Sequence, residues 1–81
     1  MSKILIIEDE EPIRRVLVRI LNEEDSNFEI YQASDGKKGL DLIKKESFDL
    51  VLCDIKMPMV DGIELLQITR KTDSTLPFIM L

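Results

Sequence analysis

The chain has 81 residues, of which 44% are hydrophobic, so it can form the core of one small domain. Its formal net charge of −5 argues against binding to nucleic acid or to an anionic membrane, because phosphate groups attract a basic surface. It has no histidine, which excludes the commonest zinc ligand, and a single cysteine, Cys53, which excludes an internal disulfide. One lone cysteine is typical of a reducing compartment, and we expect the chain to be cytoplasmic.

The first two predicted elements are a strand and an amphipathic helix. Residues 4–7 (ILII) are aliphatic at every position, which predicts a strand buried on both faces. Pro12 stands where the first turn of a helix tolerates proline, and the helix should end near residues 22–27 (NEEDSN). Its apolar side is predicted from helical spacing to comprise Ile13, Val16, Leu17, Ile20 and Leu21.

The next two elements repeat this order. Residues 28–33 (FEIYQA) alternate in polarity, which predicts a strand at the edge of a sheet. Ser34 and Asp35 supply an N-cap for a helix that reaches Lys45. Gly36 and Gly39 should weaken this helix, because glycine inside a helix costs roughly 1 kcal/mol relative to alanine.

The remaining segments are a buried strand, a helix and a final strand. Residues 50–53 (LVLC) are apolar without alternation, residues 63–70 have helical spacing, and Pro77 precedes the apolar run FIML. The full order is β-α-β-α-β-α-β, which predicts parallel strands with helices on both faces of the sheet. The two fully apolar strands should occupy its centre.

Acidic residues follow both of these central strands. Glu8 and Asp9 come directly after the first strand, and Asp54 directly after the third. Neighbouring strands lie roughly 5 Å apart and ligands bind at the carboxyl ends of parallel strands, so these acids should converge. Converging carboxylates need a cation, and Mg²⁺ with few protein ligands fits. Asp54 can then act as a nucleophile that forms an aspartyl phosphate, whereas the acids at positions 10, 11 and 23–25 are expected to be solvated.

The segments ILIIEDEEP, DLVLCDIKMPMVDG and LPFIML, with DG after the second strand, together resemble the receiver domain of two-component response regulators. The resemblance runs from residue 3 to residue 81, and the D-x-K-M-P-x-x-D-G segment at 54–62 is its most specific part. It implies an α/β, flavodoxin-like fold of three layers around a parallel sheet with strand order 2-1-3-4.

The resemblance also implies the roles of individual residues. Asp54 would be the phosphoacceptor, taking a phosphoryl group from a sensor histidine kinase or a phosphotransfer protein in order to switch an output. Mg²⁺ would be held by Asp9 and Asp54, by the backbone carbonyl of Lys56, and by Glu8 through water. The chain would be a regulatory domain and not an enzyme. Residues that shape the neighbouring loop would be Pro58, Asp61 and Gly62.

Two departures from the family pattern affect these expectations. Glu8 stands where aspartate is commoner, and the chain ends at Leu81. It therefore lacks the fourth helix, the fifth strand and the fifth helix, along with the Ser/Thr and Lys that contact the phosphoryl group in the family. We expect residues 1–81 to be a C-terminally incomplete receiver that keeps Mg²⁺ binding but transfers phosphoryl groups poorly. An open FIML edge should make it dimerise, unless it is part of a longer polypeptide.

Two other functions remain open from the sequence. One is a Mg²⁺-dependent phosphohydrolase with an Asp54 nucleophile, although enzymes of the haloacid-dehalogenase type carry a second Asp where this chain has Lys56. The other is a non-catalytic fragment that only associates through its exposed edge. Turnover of phosphate esters separates the enzyme from the receiver, and metal-dependent conformational change separates the receiver from the fragment.

Overall fold

A computed structural model describes residues 2–55, 62–72 and 75–81, and these residues form seven elements in the predicted alternating order. Among the helices it describes, none combines the length and the apolar character needed to cross a bilayer. The elements are β1 (Lys3–Ile7), α1 (Glu11–Glu24), β2 (Glu29–Ala33), α2 (Gly36–Lys45), β3 (Leu50–Cys53), α3 (Gly62–Thr72) and β4 (Phe78–Met80).

The strands form one parallel sheet in the order β2-β1-β3-β4, which confirms the predicted fold class and strand order. The fully apolar strands β1 and β3 are central, and the alternating strand β2 is at an edge, as the sequence pattern indicated. In the register, Ile6 of β1 lies opposite Leu52 of β3, and Leu52 lies opposite Ile79 of β4. These three side chains therefore share one face of the sheet.

The face that carries α2 and α3 contains the larger core cluster. Leu5 and Ile7 of β1 lie on this face, and α3 contributes Leu65, whose side chain is fully buried. Partly buried side chains of α2 pack against this cluster. Its buried members are Leu5, Ile7, Ala33, Val51, Cys53, Leu65 and Leu76.

The opposite face is covered by α1 alone among the described helices. Leu17, Val18 and Leu21 of α1 pack against a cluster formed by Ile4, Ile6 and Leu52. No residue of α1 is buried, and three of the five predicted apolar positions are exposed instead: Ile13, Val16 and Ile20. The apolar stripe of this helix is thus wider than the part that the sheet covers.

The start and the middle of α2 show why its glycines are tolerated. Asp35 caps the helix, because its Oδ1 accepts a hydrogen bond of 2.8 Å from the backbone N–H of Lys38. Gly39 faces Ile7 so closely that a Cβ atom placed there would collide with Ile7 Cδ1 and lie 2.8 Å from Ile7 Cγ1. The glycine that weakens the helix locally is what allows α2 to pack directly on β1.

Candidate metal centre at the carboxyl edge of the sheet

Glu8 and Asp54 lie side by side because the hydrogen-bond ladder continues past the ends of the strands. The backbone N–H of Asp54 donates to the carbonyl of Ile7 at 3.0 Å, and the N–H of Glu8 donates to the carbonyl of Ala33 at 3.1 Å. Both acids are thereby held to the ends of neighbouring strands. The strand pattern predicted that the acids after β1 and β3 would converge on one ion. The backbone places Glu8 and Asp54 at neighbouring strand ends, and the shared ion stays a prediction.

Glu8 is the buried member of the group, with 3% of its surface exposed. Its carboxylate oxygen lies within 4.8 Å of carboxylate oxygens of Asp9 and Glu10, and it is within hydrogen-bonding reach of the carboxyls of Asp9 and Asp54. Burial, hydrogen bonding to Asp9 and the charge of Asp54 raise the pKa of Glu8 to about 7, although the N–H of Glu10 lowers it. The site therefore places a buried acid beside the carboxyl groups of Asp9 and Asp54.

Asp9 and Asp54 occupy different positions around Glu8. Asp9 is exposed and belongs to the group of three carboxylates, whereas Asp54 is partly buried and contacts that group through Glu8. The assignment of Asp9 as a direct metal ligand and of Glu8 as a ligand through water stays a prediction.

Glu10 is closer to the site than its sequence context indicated. It is exposed, as expected for a solvated acid, but its carboxylate joins those of Glu8 and Asp9. Its backbone N–H also donates to Glu8 Oε2 at 3.3 Å. The sequence feature that could have indicated this is the position of Glu10 at the N-cap of α1, two residues after Glu8.

Arg14 is a residue of the site that the sequence did not single out. Its Nη1 donates to the backbone carbonyl of Glu8 at 2.9 Å, and its Nε donates to Gln32 Oε1 at 3.3 Å. It thus connects the first turn of α1 to the acidic turn and to β2. Helical spacing places Arg14 beside the apolar stripe of α1, but spacing alone does not identify these oxygen partners.

Three other predicted residues, Lys56, Pro58 and Asp61, lie outside the described residues, and Gly62 begins α3. A cavity of about 380 Å³ is found at the other end of α2, lined mainly by apolar residues that include Leu40 and Phe48. The clustered carboxylates at the acidic edge suit a small, hard cation.

Comparisons with known proteins agree with this geometry. A family model described as "Response regulator receiver domain" matches residues 4–81. Sporulation initiation phosphotransferase F of Bacillus subtilis is 39% identical over 80 residues, a match that covers 99% of this chain and 63% of that protein. Other curated relatives are longer, and the chain spans from about a third to less than two thirds of the length of these relatives.

Solved structures give the same result. Response regulator TrrA of Thermotoga maritima, in complex with Mg²⁺-BeF, has a TM-score of 0.87 and 34% identity, covering 99% of this chain and 66% of that one. A structure of the same regulator with histidine kinase ThkA gives a TM-score of 0.89 and 35% identity, covering 99% and 67% of the two chains.

Proposed function

Since its match to the family model spans residues 4–81, the chain belongs to the response regulator receiver domains of two-component signalling, and we propose that Asp54 is its phosphoacceptor. The observation that carries this proposal is the position of Asp54, which directly follows the central strand β3 and contacts the buried acid Glu8. A carboxylate oxygen of Asp54 attacks phosphorus and forms an aspartyl phosphate. The bond from phosphorus to the donor breaks, and the donor leaves with that electron pair.

The acids around Asp54 fit a magnesium ion. Carboxylate oxygens are ligands that Mg²⁺ prefers, and Glu8, Asp9 and Glu10 place such oxygens within 4.8 Å of one another. Burial is the main cause of the raised pKa of Glu8, with Asp9 and Asp54 adding to it, so a cation here would stabilise the ionised carboxylate. When bound, Mg²⁺ neutralises charge on the phosphoryl oxygens. We propose that Asp9, Asp54 and the backbone carbonyl of Lys56 hold it, with Glu8 acting through water.

The test of the phosphoacceptor is modification by acetyl phosphate in the presence of Mg²⁺, followed by intact mass. Only a fraction of the wild-type chains should gain one phosphoryl group, in keeping with the poor transfer expected of them, and Asp54→Asn should gain none. Asp41→Asn, which removes an exposed acid of α2, is the matched control and should be modified like the wild type. Modification that persists in Asp54→Asn would assign the phosphoacceptor to another residue.

We propose that a sensor histidine kinase or a phosphotransfer protein supplies the phosphoryl group. The support is that the relative TrrA has been solved in complex with a histidine kinase. The chain has a regulatory role as a receiver, and its own chemistry is limited to gaining and losing this group. The phosphohydrolase alternative is disfavoured because Lys56 stands where such enzymes carry an acid; sustained turnover of a phosphate ester by the wild type would restore it.

We also propose that two copies of the chain associate through β4. This strand is at the edge of the sheet, and Ile79 and Leu81 are 49% and 48% exposed. The N–H of Leu81 donates to Cys53 and the carbonyl of Pro77 accepts from Val51, so alternate residues of β4 face β3. The backbone groups of Met80 then face outward, where they are available to another strand.

Sedimentation of a proline variant tests this association. Met80→Pro removes an outward-facing N–H, which an edge strand tolerates, and should shift the chain toward the monomer. Met80→Leu keeps the N–H and should sediment like the wild type. If the wild type is a monomer at every concentration, or if both variants dimerise equally, β4 does not pair in this way.

A further inference from the structure

Three polar contacts hold the turn that carries the acids. The N–H of Glu8 is bound by Ala33 of β2, and the carboxylate of Glu8 accepts from the N–H of Glu10. The third contact is the hydrogen bond from Arg14 Nη1 to the carbonyl of Glu8. Because β2 ends at Ala33, this carbonyl lies beyond the strand pairing that satisfies the rest of β1. A carbonyl of a buried residue needs a donor, and Arg14 supplies it.

Arg14 makes this contact with two separate nitrogens at once. While Nη1 donates to Glu8, Nε donates to the side-chain oxygen of Gln32 on β2. The guanidinium is planar and rigid, so fixing one nitrogen also fixes the other. The acidic turn is therefore clamped between α1 and β2 by a single side chain, and a lysine, which has only one nitrogen, cannot make both contacts in the same geometry.

The simpler explanation is that Arg14 only adds positive charge near the acids. The partners found for it do not favour this explanation, because they are a backbone carbonyl and an amide oxygen. Its neighbour Arg15 shows the contrasting arrangement, an exposed ion pair with Glu11 at 2.7 Å on the outer side of α1. The two arginines have the same charge and adjacent positions, but only Arg14 is tied to the turn that bears Glu8.

We propose that Arg14 is a positioning residue for the metal centre: it holds the backbone of Glu8 and thereby fixes where the carboxylates of Glu8 and Asp9 meet Mg²⁺. This proposal rests on the proposed function, since it concerns the same ion. The acids remain in place without Arg14, but the turn that carries them is free to change its backbone conformation. Binding Mg²⁺ then has to order the turn as well as coordinate the ion, which weakens affinity.

The test is a magnesium titration of the full 81-residue chain, followed by backbone amide NMR signals of Glu8, Asp9 and Glu10. Arg14→Gln removes the clamp and the charge, and Arg14→Lys removes the clamp but keeps the charge. Both should raise the Kd for Mg²⁺ about tenfold, the size expected when a group supporting metal ligands is lost. Arg15→Gln and Arg15→Lys make the same chemical changes one residue away and should stay within about twofold of the wild type.

The outcomes separate positioning from charge and from folding. If Arg14→Gln binds Mg²⁺ more tightly while Arg14→Lys is unchanged, Arg14 acts only as a repelling charge and the proposal is wrong. If urea unfolding shows that the variants lose stability while the Kd for Mg²⁺ does not change, Arg14 is merely structural, which also overturns it. Failure of the wild type to bind Mg²⁺ at millimolar concentrations would instead overturn the proposed metal centre itself.

Discussion

The two faces of the sheet differ in how completely they are packed. On the face that carries α2 and α3, seven described residues are buried in one cluster, including Leu65 of α3. On the face that carries α1, the corresponding cluster has three, and none belongs to the helix. Among the described helices, two cover the first face and one covers the second. The α2/α3 face should therefore carry most of the stability.

The turn that carries the acids leads directly into α1, the helix on the weakly packed face. Glu8 and Asp9 precede α1, whose Val16 remains 55% exposed. Apolar packing of α1 consequently contributes little to holding the acids, and polar contacts such as the one from Arg14 to Glu8 do so instead. One face stabilises the fold, while the other positions the site. Substitutions on the two faces should have unequal costs, in an order that can be measured.

The largest effect is expected for Leu65→Ala on the α2/α3 face. Leu65 is fully buried, and truncating such a side chain leaves a cavity that costs about 2–5 kcal/mol in the free energy of unfolding. Ile63→Ala is the matched control on the same helix, because Ile63 is exposed and should lose less than about 1 kcal/mol. Urea unfolding measures both. Similar losses for the two variants would show that α3 does not bury one side as described.

A smaller loss is expected for Gly39→Ala in α2. Helix propensity alone predicts a gain of roughly 1 kcal/mol, because alanine is the better helix former. The new methyl group would collide with Ile7, and overpacking of this kind costs about 1–3 kcal/mol. We expect a net loss of up to about 2 kcal/mol by urea unfolding, against a change within about 0.5 kcal/mol for Asp41→Ala on the exposed side of α2. A stabilised Gly39→Ala would mean that α2 stands farther from β1.

The sequence predicted the framework of the fold because its signals are local. Runs without alternation at residues 4–7 and 50–53 placed two strands in the centre, and alternation at residues 28–33 placed another at the edge. The acids after the central strands then followed from parallel pairing. Asp35 was identifiable as a cap from its residue type, and the structure confirms it.

The sequence did not predict contacts that depend on distances between elements. Glycine at position 39 was interpreted as a local weakness, since helix propensity contains no information about the approach of Ile7. The bond from Arg14 to Glu8 depends on the reach of a long side chain from one element to the end of another. The exposed part of α1 was also missed, because spacing shows how wide an apolar stripe is but not how much of it is covered.

At the edge where the two faces meet, Glu8→Gln should stabilise the metal-free chain above pH 7. The folded pKa of Glu8 is raised from 4.5 to about 7, so between these values the unfolded chain ionises while the folded chain keeps its proton. Stability therefore falls as pH rises through this window and stays lower above it. Glutamine removes this penalty, with a gain of up to about 3 kcal/mol at pH 8 and almost none at pH 4.

Thermal unfolding at these two pH values, without Mg²⁺, measures the effect. Glu23→Gln removes an exposed acid from the other end of α1 and controls for the change in net charge. An equal gain in both variants would point to general charge repulsion, and not to the burial of Glu8 among Asp9 and Asp54.

The smallest effect is expected for Ile20→Ser on the exposed side of α1. Isoleucine and serine have similar helix propensities and Ile20 is about half exposed, so a dilute monomer should change by about 0.5 kcal/mol or less. Leu17→Ser, on the side that packs against Ile4 and Ile6, should cost about 2 kcal/mol by comparison.

Repeating the thermal unfolding of the wild type and Ile20→Ser at increasing protein concentration tests whether a second copy covers α1. If the wild-type Tm rises with concentration and that of Ile20→Ser does not, a second copy covers α1, because association of folded chains is what makes Tm depend on concentration and this substitution would have abolished it. If both rise equally, association is confined to the strand edge and the α1 face stays open in the dimer.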